Sequence, residues 1–270
     1  MQLTKIDRVR EILRSMGGAV VAYSGGIDST LLAYLAAQEL GPRAVAVTAV
    51  SPSLAKSELD EAREIAGRFG IRHVLIESSE VEDPRYQENN NLRCYWCKHS
   101  VYDLLVNYAR ENGLGAVVDG TNYDDRGDVR PGRQAAREHQ VRSPLLEAGL
   151  TKEEIRAAGR EFGLPNWDKP AKACLSSRIP YGTRVSVEAL LQIERAEAAL
   201  SALGIRQVRV RHHGPVARIE VEAEDFPLVL EHRSELVEKV REAGYTYVSL
   251  DLAGYSMGSL NQADKAGHEG

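Results

Sequence analysis

The chain predicts an α/β fold, a doubly wound parallel sheet followed by a second, smaller α+β domain. Three observations carry this. Short, almost continuously apolar runs alternate with helical patterns as far as Leu150, as in a parallel sheet covered on both faces. A glycine-rich turn, Ser24-Gly25-Gly26-Ile27-Asp28-Ser29, joins one of these runs to a helix. Beyond Ser186 the order changes to helix, strand, strand, helix and strand.

In chain order, Ile6, Val9 and Leu13 share one face of a first helix. Ala19–Tyr23 is the first strand, and Leu31, Leu32, Leu35 and Ala36 continue the helix after the glycine turn. Strand 44–50, helix 54–69, strand 73–77, helix 97–112 and strand 116–119 extend the alternation. Thr151 and Glu154 have the spacing of a capping box for a helix stopped near Phe162 by Gly163 and Pro165. The polar stretch 166–183 reads as a linker or active-site loop. A helix to Leu203, strands 207–213 and 217–222, a helix 226–242 and a strand 246–252 complete the second domain. The expected boundaries are 1–165, a cysteine-bearing loop 166–185, a small domain 186–260 and a polar tail 261–270.

With 43% apolar and 27% charged residues, the chain has the composition of a soluble globular protein. No apolar stretch approaches a membrane span, and Met1–Ser15 alternates charged and apolar residues unlike a signal peptide. The expectation is a cytoplasmic protein with no membrane partner. A net charge of -5 argues against a large nucleic-acid surface. Three cysteines cannot all pair, so a chemical use is expected of them.

The turn at Ser24 is a phosphate cradle. A glycine-rich loop opening a helix offers backbone N–H groups and the positive end of the helix dipole to an anion. Gly25 and Gly26 allow close approach, and Ser24 and Ser29 add hydroxyl donors. Asp28 would repel phosphate unless a cation lay between, which points to Mg²⁺ bridging carboxylate and phosphate. The loop lacks the lysine of G-x-x-x-x-G-K-[ST] and is not G-x-G-x-x-G. It resembles the SGGxDS loop of the PP-loop ATP pyrophosphatases, and that resemblance implies splitting of ATP into AMP and pyrophosphate with adenylation of an acceptor.

Cys94-Tyr95-Trp96-Cys97 and the distant Cys174 form a second constellation. Four readings compete: a metal cluster or reactive sulfur, a structural zinc with His99 as a further ligand, a redox pair, and buried cysteines without a role. A [4Fe–4S] cluster held by three cysteines leaves one iron able to carry hydrosulfide, a sulfur nucleophile. Alternatively, Cys174 gives up its own sulfur.

Lys172-Ala173-Cys174-Leu175-Ser176-Ser177-Arg178-Ile179-Pro180-Tyr181-Gly182-Thr183 resembles the cysteine loop of the LarE-type sulfur transferases, which build the thiocarboxylates of the nickel-pincer nucleotide cofactor of lactate racemase. The resemblance extends over 91–98, Asp119-Gly120-Thr121-Asn122, Asp124-Asp125, Arg130-Pro131-Gly132 and Arg209-Val210-Arg211. It implies ATP, a pyridinium dicarboxylate mononucleotide, sulfide and a homo-oligomer. Some members of that family carry only the later cysteine and sacrifice it to dehydroalanine. Others also carry CxxC and are associated with a [4Fe–4S] cluster, the branch favoured here. Thiolation of tRNA is the nearest rival, disfavoured by the acidic balance.

Gly120, Thr121, Asp124, Asp125, Arg126 and Asp128 follow a strand and should sit at the ligand edge of the sheet. Thr48 and Ser53 flank the end of the second strand and are candidates for the nucleotide, with a helix cap as the other reading of Ser53. Arg209, Arg211 and His213 alternate along a strand and share a face suited to a phosphate, or else form a solvated basic face. Glu194 and Glu197 lie one helical turn apart and are candidates to reach a metal, with ordinary surface helix carboxylates as the other reading. Trp96 is expected to pack rather than stack on a ligand.

Overall fold

The computed structural model describes residues 4–127, 131–170 and 173–256. Asp128, Arg130, Lys172 and the expected tail 261–270 lie outside the described residues. The chain divides into two compact units: Met1–Glu80 with Leu92–Lys172, and Val81–Asn91 with Ala173–Gly270.

In the first unit, α1 (Lys5–Met16) leads into β1 (Ala19–Ala22), α2 (Ile27–Leu40), β2 (Ala44–Val50), α3 (Lys56–Arg68) and β3 (His73–Glu77). After a one-turn α4 (Pro84–Gln87), which belongs to the second unit, come α5 (Arg93–Glu111), β4 (Ala116–Val118), α6 (Pro131–Glu138), α7 (Pro144–Glu147) and α8 (Lys152–Glu161). The four strands are parallel in the order β3-β2-β1-β4, with Ala19 opposite both Ala44 and Ala116. Alternate side chains enter different cores. Ala19, Val21, Ala44 and Ala46 pack with α1, α2 and α8, whereas Val20, Val45 and Val47 pack with Tyr102, Leu105 and Ala109 of α5. Burial on both faces is why these strands read as unbroken apolar runs.

The chain moves outward from β1 to β3 and then returns to the other side of β1 for β4. That reversal is the switch point at which open α/β sheets bind ligands, beyond the carboxyl ends of the strands. The loop after β1 holds Ser24, and the loop after β4 holds Gly120 and Thr121.

The second unit contains α9 (Val187–Ser201), β5 (Val208–His213), β6 (Val216–Val221), α10 (Phe226–Glu231), α11 (Arg233–Glu242) and β7 (Tyr247–Leu250). Strands β5 and β6 are antiparallel and β6 and β7 parallel, over a core from Ala196 and Leu200 to Leu236 and Val240. Two element expectations need correction. The helix expected from Cys97 begins at Arg93, which places both cysteines of the CxxC pair inside its first turns. The single helix expected over 226–242 is broken at His232, where φ -92° and ψ 14° interrupt the helical path.

Candidate active site

Ser24 to Ser29 crosses from β1 into α2 through Gly25, whose φ of 74° lies in the left-handed region. A Cβ there would stand 2.9 Å from the Ala62 side chain, so only glycine fits without movement. The N-cap is Gly26, with no side-chain hydrogen bond to the helix start. The opening N–H groups of α2 therefore lack a capping side chain at the positive end of the helix dipole. The Ser24 and Ser29 hydroxyls lie 3.1 Å apart, and the Ser29 hydroxyl donates to the Gly26 carbonyl at 3.0 Å. From the loop after α8, the Asn166 amide donates to the Gly25 carbonyl at 2.8 Å and to Thr30 Oγ1 at 3.0 Å. The cradle is thereby held in shape from both ends.

Asp28, in the first turn of α2, is ion-paired with Lys152 at the start of α8. The Asn122 amide donates to its other oxygen at 3.4 Å. Gly120 packs so closely on α2 that a Cβ would come within 2.9 Å of the Ser29 backbone nitrogen. Its contribution is this close approach of the β4 loop to the cradle.

The neighbouring expectations resolve differently. Thr48 is buried, and its hydroxyl donates to the Tyr23 carbonyl at 2.7 Å and meets His73 Nε2 at 2.8 Å, so it ties strand ends together. Burial holds the His73 imidazole below its ordinary pKa, with Arg63 adding to the effect. The Thr121 hydroxyl and N–H both donate to Asp119, at 3.0 and 3.1 Å, and so shape the loop. Asp119 also accepts from Tyr102 at 2.9 Å and Ser143 at 2.7 Å. Ser53 is not a helix cap, because its hydroxyl donates at 2.9 Å to the buried Glu80. Asp124 accepts from the Lys152 backbone N–H at 2.7 Å, and Asp125 from that of Asn122 at 3.0 Å. They position Lys152 and Asn122.

None of the three cysteines is disulfide-bonded; Cys94 and Cys174 are exposed and Cys97 is half-buried. Cys94 and Cys97, three residues apart on α5, project about 60° apart around the helix. Trp96 packs edge-on against Tyr95, with ring centroids 4.8 Å apart.

In the second unit, Cys174 caps a short 3₁₀ turn over Leu175–Arg178. The buried Arg178 donates to the carbonyls of Ala173 at 2.6 Å and Cys174 at 3.0 Å. Its other two nitrogens grip Glu197 at 2.8 and 3.0 Å, and Glu197 accepts the Val210 N–H at 3.0 Å. Glu197 is thus an anchor for the cysteine loop. Arg211 is paired with the fully buried Glu220 and donates to the Ser177 carbonyl at 3.1 Å. Arg209 is buried as well; desolvation lowers its pKa, and the positive charge of Arg178 lowers it further. Arg209 and Arg211 of the basic strand face are therefore interior to the unit, whereas His213 at its end is exposed. Asn89, with φ 52°, ties the same loop down by donating to the carbonyls of Pro180 and Thr183, each at 2.8 Å. The Tyr86 and Ser176 hydroxyls share a 2.5 Å hydrogen bond.

Lys152 and Asn166 have no local sequence signal, because their partners are far along the chain. Arg178 lies within the quoted cysteine motif, where the resemblance gives it no role.

The sheet, its switch point and the cradle without a Walker lysine define an ATP-dependent enzyme of the PP-loop class. Residues 7–89 match the asparagine synthase family. The chain is 46% identical over 261 residues to an uncharacterized protein of Synechocystis sp., covering 96% of this chain and 97% of that one. It is 36% identical over 259 residues to the pyridinium-3,5-bisthiocarboxylic acid mononucleotide synthase of Lactiplantibacillus plantarum, covering 96% of this chain and 94% of the other. Over 123 residues, 43% of this chain and 47% of the other, it is 31% identical to an NH₃-dependent NAD⁺ synthetase of Pyrococcus horikoshii. The chain belongs to the LarE-type family, that of the Lactiplantibacillus enzyme. Among the described residues, no helix is long and apolar enough to cross a membrane.

Proposed function

We propose that the chain activates a carboxylate of a pyridinium-3,5-dicarboxylic acid mononucleotide with ATP and converts it to a thiocarboxylate. The observation that carries this reading is Cys174, exposed at the head of a loop whose backbone is gripped by Arg178, in a chain that also holds an ATP cradle.

The opening N–H groups of α2 bind the leaving phosphates, joined by the hydroxyls of Ser24 and Ser29 once these turn from each other and from the Gly26 carbonyl. Asn166 keeps Gly25 in the conformation that lets them converge. The substrate carboxylate oxygen attacks the α-phosphorus, and the bond to pyrophosphate breaks with its electrons leaving on pyrophosphate. Negative charge growing on the phosphates is met by donors already in place, so little reorganisation is needed. Asp28 fits Mg²⁺ as a half-exposed carboxylate at the cradle's mouth, and the ion when bound neutralises phosphate charge. Lys152 holds the carboxylate in position beside the cradle.

A sulfur nucleophile then attacks the activated carbonyl, and AMP departs with the former carboxylate oxygen. Three thiolate-forming side chains, none tied up in a disulfide, are a soft donor set suited to iron and sulfur. Cys94, Cys97 and Cys174 would hold a [4Fe–4S] cluster. With three protein ligands, the cluster when bound supplies a place for exogenous sulfide. In the second unit, Arg209, with its guanidinium over the Tyr255 ring 5.3 Å from the centroid, is the candidate to meet the mononucleotide phosphate.

The test is anaerobic purification with iron and sulfide assays, followed by turnover with ATP and the dicarboxylate mononucleotide, with intact mass measured afterwards. Iron at cluster stoichiometry and repeated turnover on added sulfide support the reading. A single turnover in which the protein loses H₂S would instead make Cys174 the sulfur donor, left as dehydroalanine. Zinc without iron, an unchanged mass and no thiocarboxylate would overturn both.

A further inference from the structure

His99 and Asp103 stand one turn apart on α5, and His139 follows the last residue of α6. The three side chains meet. His99 Nδ1 and His139 Nε2 are 2.9 Å apart, His139 Nδ1 lies 3.4 Å from Asp103 Oδ1, and His99 Nε2 lies 3.9 Å from Asp103 Oδ2. One ligand atom from each can be chosen so that all lie within 4.8 Å of one another.

We propose that His99, Asp103 and His139 form a binding site for a borderline divalent cation of the Zn²⁺ type. Two imidazoles and one carboxylate are a familiar ligand set for such an ion, which leaves a fourth position for water. With metal–ligand bonds of about 2.0–2.2 Å, neighbouring ligand atoms of a tetrahedral ion are about 3.3–3.6 Å apart. The three short separations use both nitrogens of each ring; with one ligand atom from each residue the set lies within 4.8 Å, and side-chain rotation has to draw it together around the ion.

The surroundings restrain the rings. Tyr95 stacks on His99 at a centroid distance of 5.8 Å and an interplanar angle of 17°. The Tyr95 hydroxyl donates at 2.7 Å to Glu138, the residue before His139. The His139 side chain is only 11% exposed, whereas that of Asp103 is 59% exposed, so the metal would enter from the Asp103 side.

This site is separate from the cysteines. Around α5, His99 projects about 140° from Cys94 and about 160° from Cys97, away from the face the two cysteines share. His99 is therefore not the further ligand for a zinc on the CxxC pair that its closeness in sequence invites.

The test removes the thiols. In the full-length chain carrying Cys94→Ser, Cys97→Ser and Cys174→Ser, titration with Zn²⁺ by calorimetry and with Co²⁺ by visible absorption should show one equivalent bound. Adding His99→Ala, His139→Gln or Asp103→Asn should each weaken Zn²⁺ binding by more than about tenfold. Circular dichroism of each variant checks that it is folded. No stoichiometric binding by the folded cysteine-free chain, or binding that survives both histidine substitutions, would overturn the proposal. Because the readout is metal on a chain without cysteines, its failure leaves the sulfur-transfer reading standing.

Discussion

Arg178 holds Glu197 through two hydrogen bonds, of 2.8 and 3.0 Å, while its remaining nitrogen holds the carbonyls of Ala173 and Cys174. One guanidinium therefore fixes the backbone on which the exposed Cys174 thiol rides. Its planar fork suits this task in a way a lysine ammonium does not.

Glu197→Gln should weaken that grip with little change in volume. Breaking a buried pair by removing one charge costs about 3–5 kcal/mol, since the other charge is left without its partner. The expected outcome is a lower midpoint of denaturation and loss of thiocarboxylate formation, with pyrophosphate release retained. Denaturant unfolding and single-turnover assays read these separately. Equal loss of both reactions in a folded variant would count against a specific role in presenting the thiol.

Gly25→Ala should distort the cradle. The left-handed backbone costs an L-residue about 1–2 kcal/mol, and the new methyl would stand 2.9 Å from that of Ala62. ATP binding should weaken at least about tenfold. Adding Ala62→Gly would relieve the contact but not the torsion, so only partial recovery is expected in a nucleotide-binding titration.

Asp28→Asn removes the carboxylate that would hold Mg²⁺ and breaks the pair with Lys152. Pyrophosphate release should fall about 10²–10³-fold, the loss typical of removing one aligned electrostatic group. Steady-state assays across Mg²⁺ concentrations check this; full activity at any Mg²⁺ level would remove Asp28 from the mechanism.

His73 gives a pH dependence of defined sign. Its folded pKa lies below the unfolded value of about 6.5, so the folded chain resists taking up the proton that the unfolded chain accepts. Its contribution is complete above about pH 6.5, is lost as pH falls from there toward the folded value, and changes no further below it. His212 is shifted the same way by burial, so the test is a difference. His73→Gln should flatten part of the stability loss between neutral and mildly acidic pH in denaturant titrations.

The parallel sheet was legible because β1 and β2 bury both faces and carry almost nothing polar. The capping box of Thr151 and Glu154 was equally readable, its two reciprocal bonds being set by a three-residue spacing. The start of α5 was not, because Leu92 caps it with no side-chain hydrogen bond after a polar run that resembles a loop. The break at His232 has no glycine or proline to announce it. In the site, the cradle and the cysteines are local motifs, but Asp28 meets Lys152 across 124 residues and Gly25 meets Asn166 across 141. Such pairs follow from topology, which periodicity alone does not supply. The bonds of Thr48 to Tyr23 and His73, each 25 residues away, are of the same kind.

The segment Val81–Asn91 belongs with the second unit although the first unit's chain flanks it on both sides. Tyr86 and Asn89 are wholly buried there, bonded to Ser176 and to the carbonyls that follow it. The polypeptide thus passes from one unit to the other three times, and no single cut yields two intact halves. A fragment beginning at Ala173 would lack the aromatic and amide that its own cysteine loop closes upon. The eleven-residue strap thus makes the second unit complete only in a chain that also carries residues 81–91.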